Sequence, residues 1–215
     1  MDLDKIIKIL GKRFKENKTP VVDLIEIQTN DPFKVLTATI LSARTKDETT
    51  SEVIKRLFKK VKSADDFLDL ETEEIEKLIF PAGFFRNKAK YLKKLPVVLN
   101  EKFGGVIPEE IDDLIKLPGV GRKTANLVRT IAFKKDAMCV DIHVHRISNR
   151  WGYVKTKTPF ETEMALRKKL PKKYWDVYNS YLVSFGQNHC RPINPKCSTC
   201  PIYDECARVG VTSSR

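Results

Sequence analysis

The stretch Leu117-Pro118-Gly119-Val120-Gly121-Arg122-Lys123-Thr124-Ala125-Asn126 constrains this chain more than any other. Apolar residues at helical spacing precede it at Ile111, Leu114 and Ile115, and resume after it at Leu127, Val128 and Ile131. The connection between them is long enough only for a hairpin joining two helices. Pro118 stops the first helix, and Gly119 and Gly121 permit backbone angles that a Cβ resists. Without side chains there, the amides of Gly119, Val120 and Gly121 can approach another backbone closely. They adjoin the start of the second helix, where unpaired N–H groups and the positive end of the helix dipole favour a phosphate. Lys123 falls in the first turn of that helix. Glycine turns join many helix pairs, so a plain structural turn is the competing reading.

A second pattern lies near the C-terminal end. Cys190, Cys197, Cys200 and Cys206 form C-x6-C-x2-C-x5-C, four of the five cysteines in the chain. Four thiolates so close in sequence can wrap one metal centre. Two disulfides are the alternative, but no signal peptide or membrane-spanning run is visible, and disulfides are rare in the reducing cell interior. Metal is therefore the better reading. The spacing matches neither a zinc ribbon nor the bacterial ferredoxin run, so chemistry alone leaves zinc and an iron–sulfur cluster open. Cys139, in the apolar run Ala137-Met138-Cys139-Val140, reads as a small buried hydrophobe.

The chain has 215 residues, room for one large or two small domains. Forty Lys and Arg against 28 Asp and Glu give a net charge of +12, which favours a polyanionic partner. No lipidation signal and no basic amphipathic segment points to a membrane. Nearly every segment carries helical periodicity. Asp2 to Phe14 is one helix. Asp31-Pro32 reads as N-cap plus first residue of another. Thr50 or Ser51 and Thr72 are candidate caps of two more, Lys88 to Phe103 is a fourth element, and Thr158-Pro159-Phe160-Glu161 is a capping box. A helix through Tyr174 to Phe185 should stop at Gly186, and the tail from Val211 to Arg215 should be loose. No period-2 strand is found, so an all-α fold is expected.

Taken together, LPGVGRKTAN, the segment VDIHVHRISNR with Asp141, GFFRNKA from Gly83 to Ala89 and the four cysteines resemble the endonuclease III family of helix–hairpin–helix DNA glycosylases. The likeness covers nearly the whole chain. It implies a six-helix domain over residues 23–136 and a second helical domain from 1–22 and 137–215. The second domain would bear a [4Fe–4S] cluster on Cys190, Cys197, Cys200 and Cys206. It implies Lys123 and Asp141 as catalytic residues, and double-stranded DNA with damaged bases or abasic sites as the partner of a monomer. It also implies work in the cytoplasm, at the nucleoid of a prokaryote. The chain departs from the family at two positions. Arg44 stands where glutamine is frequent, and Phe84 where a leucine wedge is frequent; both are suited to filling the gap left by an extruded base.

The implied chemistry is coherent. A base inside a duplex must be extruded before its glycosidic bond can be cut. Asp141 would stabilise the oxocarbenium-like transition state. Lys123 would attack the sugar C1′ and leave a Schiff base that permits β-elimination. A free lysine is mostly protonated at neutral pH, so the helix N-terminus and burial would have to activate it. Gly119, Val120 and Gly121, with Arg191 and Lys196 beside the cysteines, would hold phosphates without reading sequence. Oxidised pyrimidines are the expected substrates. The alternatives are a glycosylase for uracil or thymine opposite guanine, whose members usually lack the hairpin lysine, and a non-catalytic DNA-binding module.

Overall fold

The computed structural model describes residues 2–15 and 31–215, and among these no strand occurs. Ten α-helices and two short 3-10 turns make up the regular structure of the described residues. Backbone contacts divide the chain into one compact unit of Pro20–Lys135 and another of Met1–Thr19 with Asp136–Arg215. The N-terminal junction expected at residues 22 and 23 lies outside the described residues.

In the first unit the helices are α2 (Pro32–Ser42), α3 (Asp47–Lys60), α4 (Thr72–Ile79), α5 (Phe85–Phe103), α6 (Ile111–Leu114) and α7 (Arg122–Phe133). Helix α2 is the central element, packed on α3, α5 and α7. Its residues from Val35 to Leu41 are all buried, which suits a helix with neighbours on every side. Leu36, Leu57, Ile75, Leu92, Leu95 and Val128 meet in one core. Asp31 caps α2 as expected, its carboxylate accepting the Phe33 amide at 2.9 Å with Pro32 in the first turn. Two expected caps are corrected. Helix α3 begins at Asp47, and Thr50 is buried inside it with its hydroxyl on the Lys46 carbonyl. Asp47 and Glu48 place negative charge in the first turn, where the helix dipole favours it. Thr72 is already helical; Glu71 precedes it, and its amide donates to the Glu74 carboxylate at 3.0 Å.

The other unit holds α1 (Leu3–Lys15), α8 (Ile142–Arg150), α9 (Pro159–Lys169), α10 (Trp175–Asn188) and the cysteine loop. Helix α10 packs on both α1 and α8, and α9 packs on α8. Ile6, Leu10, Val144, Ile147, Tyr178 and Leu182 form its core. Half of the expected capping box forms: the Thr158 hydroxyl accepts the Glu161 amide at 3.2 Å, but the Glu161 carboxylate accepts the amide of Lys157, one residue before the cap, rather than that of Thr158. Gly186 does not end α10, which continues to Asn188. A Cβ on Gly186 would collide with the His143 ring of α8, so this glycine serves a close helix crossing rather than a stop. The tail is not loose either. Arg215 donates its amide to Pro195 at 3.0 Å and accepts from Ser198 at 3.2 Å, which pairs backbone groups of the cysteine loop.

Candidate active site

The hairpin joins two helices as the sequence requires, with three changes of detail at Val120, Gly121 and Lys123. Helix α6 is a single turn, and the chain from Ile115 leads to Gly119 at φ +74. A Cβ there would also lie 2.6 Å from the Tyr91 ring, so glycine is needed for angle and for space. Gly121 is at φ −90 and ψ 173, ordinary extended backbone; its missing side chain leaves the entrance to α7 open, with nothing within 4 Å of where a Cβ would stand. The Val120 amide is not available to a ligand, because it donates to the Leu117 carbonyl at 3.2 Å while its side chain is buried. The Gly119 and Gly121 amides make no hydrogen bond within the described residues. Gly121 is the residue before α7, so Lys123 stands in the first turn as expected, but exposed rather than buried.

The same unit brings Arg44 and Phe84 together. Each sits at a left-handed backbone position, φ 53 and φ 58, and the Arg44 guanidinium lies 5.3 Å from the Phe84 ring centre. Phe84 is 60% exposed, an unusual state for a large apolar ring. Beside them opens a hollow of about 280 Å³ whose wall includes Asn87, Lys88, Tyr91 and Gly119. Sequence reasoning did not single out Asn87, Lys88 and Tyr91. Their spacing from Phe84, at steps of three, four and seven, puts them on one face of α5 and was the available signal.

In the other unit Asp141 is the N-cap of α8. Its Oδ1 accepts the His143 amide at 2.8 Å and the Val144 amide at 2.9 Å. His145 shares a 2.7 Å hydrogen bond with the Thr162 hydroxyl, and His143 lies 3.2 Å from the Arg146 guanidinium. Both histidines therefore serve α8 and its neighbours.

All four cysteines line one pocket beneath Arg150 and Trp151. The buried Arg150 guanidinium donates to Cys190 Sγ at 3.3 Å and to the Arg191 carbonyl at 2.8 Å. Burial pushes the Cys200 thiol up to about 11, and raises Cys206 in the same direction. The neighbouring cysteines add to both shifts. Four sulfurs lining one small pocket repel one another as thiolates unless a cation stands among them, so the donor set fits a thiolate-bound metal centre. Among the described residues, no three ligating side chains are close enough to hold a single metal ion. Arg191 is exposed, Lys196 is half-buried, and Cys139 is buried away from this loop.

The signature of the HhH-GPD superfamily of base excision DNA repair proteins matches residues 37–172. The endonuclease III of Thermotoga maritima is 42% identical over 204 residues, 95% of this chain and 92% of that one. The chain belongs to the endonuclease III family. A solved endonuclease III trapped as a covalent DNA intermediate with an estranged adenine superposes at a TM-score of 0.80. It shares 36% identity over 97% of each chain. A thermostable thymine-DNA glycosylase superposes at 0.78 with 27% identity over 95% of each. The endonuclease III fold is thus shared over the length of the chain. The higher identity lies with the endonuclease III branch. Among the described residues no helix is long and apolar enough to cross a membrane.

Proposed function

We propose that this chain removes oxidised pyrimidines from double-stranded DNA and then cleaves the backbone at the abasic site, with Lys123 as nucleophile and Asp141 as the electrostatic partner. The observation that carries the reading is Lys123 in the first turn of α7, two residues after Gly121, where the Gly119 and Gly121 amides make no bond within the described residues. Those amides take a phosphate and seat the damaged nucleotide's backbone near the lysine. The Lys123 amine attacks the sugar C1′, the bond from C1′ to the base breaks, and the base departs. The Asp141 carboxylate stabilises the positive charge that builds on the sugar. Loss of the ring oxygen from C1′ leaves a Schiff base on Lys123. Removal of a C2′ proton then breaks the C3′–O bond and frees the 3′ phosphate. Arg44 and Phe84 occupy the space vacated by the extruded base, and Arg191 and Lys196 meet phosphates. The enzyme acts as a monomer on cellular DNA, at the nucleoid in a prokaryotic cell.

Cys190, Cys197, Cys200 and Cys206 hold a [4Fe–4S] cluster. When bound, it supplies the cationic iron that keeps the four sulfurs deprotonated and staples the loop carrying Arg191 and Lys196. The test of the whole reading is covalent capture. Borohydride added during reaction on a duplex with one oxidised thymine should trap a protein–DNA adduct with the wild type and none with Lys123→Ala. An adduct of undiminished yield in the variant removes Lys123 from the role. Preferential turnover of thymine or uracil opposite guanine would move the enzyme to the mispair reading.

A further inference from the structure

Lys88 is a lysine in a place where lysines are rare. It is 5% exposed, and burial pushes its ammonium down to about 8. Among the described residues no carboxylate pairs with it. Its three donors go to the Leu41 carbonyl at 2.7 Å, the Ala43 carbonyl at 2.6 Å and the Thr45 hydroxyl at 3.0 Å. These acceptors surround the C-terminal end of α2, where helix carbonyls lack intrahelical partners and the dipole favours a cation. Thr45 is a hub in the same cluster. Its hydroxyl donates to Leu41 at 2.8 Å and accepts the Gly83 amide at 3.0 Å. The turn from Ala82 to Phe84 is thereby tied to the turn from Ala43 to Thr45. Contact between the two is close: a Cβ on Gly83 would run into the Arg44 carbonyl, so only glycine fits. Arg44 and Phe84 are the two residues displayed by these turns, both in a backbone region that side-chain-bearing residues avoid. Such angles persist only where surrounding bonds over-determine them.

We propose that Lys88 is a positioning residue for the extruded-base wedge: its buried ammonium clasps the end of α2 and, through Thr45, locks the two turns so that Arg44 and Phe84 stand ready before DNA arrives. The proposal rests on the reading of Arg44 as a wedge. A stack rigidly held before binding avoids the ordering cost that a mobile arginine would incur on each encounter. Lys88 itself touches neither the sugar nor the reacting bonds; it acts through the backbone of Arg44.

The experiment compares wild type with Arg44→Ala, Lys88→Met, Thr45→Val and the double variant Arg44→Ala/Lys88→Met. Two quantities are read. One is the ratio of affinities for a duplex bearing a non-cleavable abasic analogue and for the same duplex undamaged. The other is β-elimination on a single-stranded oligonucleotide with a preformed abasic site, where no gap in a duplex has to be filled. Arg44→Ala should lower the affinity ratio roughly 5- to 150-fold, the range for losing one stacking contact. Lys88→Met should lower it by a similar factor, and the double variant should be no worse than the worse single, because both act on one element. Single-strand elimination by Lys88→Met and by Thr45→Val should stay within about twofold of wild type, since a general loss of structure would lower both readouts. A folded Lys88→Met with a wild-type ratio overturns the clasp, as does an additive double variant. Should Lys88→Met fail to fold, Thr45→Val decides by the same two readouts. An unchanged ratio in Arg44→Ala is a different failure: it removes the wedge reading itself.

Discussion

Asp141 has two separable jobs, and its geometry says how to separate them. One oxygen accepts two amides at the start of α8, so the residue is a helix cap whatever else it does. Asparagine keeps an oxygen in the same place and is as good a cap as aspartate, whereas alanine loses both bonds. Val144 is fully buried, so its amide would be left without a ready partner in Asp141→Ala. Removing a cap costs about 1 kcal/mol, up to about 2, while losing the charge beside a helix N-terminus costs about 0.3–1 kcal/mol. For a chain of this size each kcal/mol moves Tm by about 2–4 °C. Asp141→Ala should therefore melt about 2–8 °C low, and Asp141→Asn at most about 4 °C low. Catalysis should rank differently. Loss of the carboxylate charge removes stabilisation of the oxocarbenium-like state in both variants, slowing base release by about 10²–10³. Circular dichroism melts give the first ranking. Single-turnover release of an oxidised base, with enzyme in excess, gives the second. If Asp141→Asn releases base at the wild-type rate, the charge is not used and Asp141 is a cap alone. If activity simply follows melting temperature across the three proteins, the same conclusion holds.

Other outcomes follow from the cysteine loop, the charge and Lys88. Purified protein should be yellow-brown with about four irons per chain by elemental analysis. Cys190→Ser, Cys197→Ser, Cys200→Ser and Cys206→Ser should each lose metal and soluble yield, while Cys139→Ser keeps both; colourless active protein with stoichiometric zinc would refute this. Arg191→Ala should weaken damaged and undamaged DNA alike and lower the slope of log affinity against log salt by about one unit, measured by anisotropy titration. Burial places the folded Lys88 pKa at about 8, below its ordinary 10.5, so between those values the unfolded chain binds the extra proton. Stability from this group is thus present above the unfolded value and lost as pH falls through about 8. The unfolding free energy of wild type relative to Lys88→Met should grow from about pH 7.5 to about pH 10 in urea titrations, and a flat difference would contradict the burial argument.

The sequence carried most of the fold because its signals were local. Asp31 before Pro32 and Thr158 before Pro159 need only their own next few residues to act as caps, and both do. Thr50 and Thr72 misled for a local reason too: acidic residues just upstream start both helices, Asp47 and Glu48 in the first turn of α3 and Glu71 as the cap of α4, and the Thr50 hydroxyl returns to its own helix backbone. Gly186 could not be read correctly, because what forbids a side chain there is the His143 ring on another helix. The site divides in the same way. The positions of Lys123 and Asp141 at helix starts were legible because each is marked by its own neighbours. The pairing of Arg44 with Phe84, and the burial of Lys88 beneath them, depend on where α5 meets the end of α2, which no short pattern encodes.

Helix α1 and helix α10 come from opposite ends of the described chain, yet the Phe14 and Tyr181 rings lie 5.1 Å apart, tilted at 41°, and Gly11 lets the same tyrosine approach. During synthesis, α1 leaves the ribosome well before its mate. At about 5–20 residues per second, Ile6 and Leu10 wait roughly 8–35 s before α10 emerges. The intervening segment from Pro32 to Phe133 can meanwhile assemble its own core. The nascent chain therefore passes through a stage in which one finished unit trails an orphan amphipathic helix. That stage, rather than the finished enzyme, is where aggregation and chaperone dependence should be sought when expression is poor.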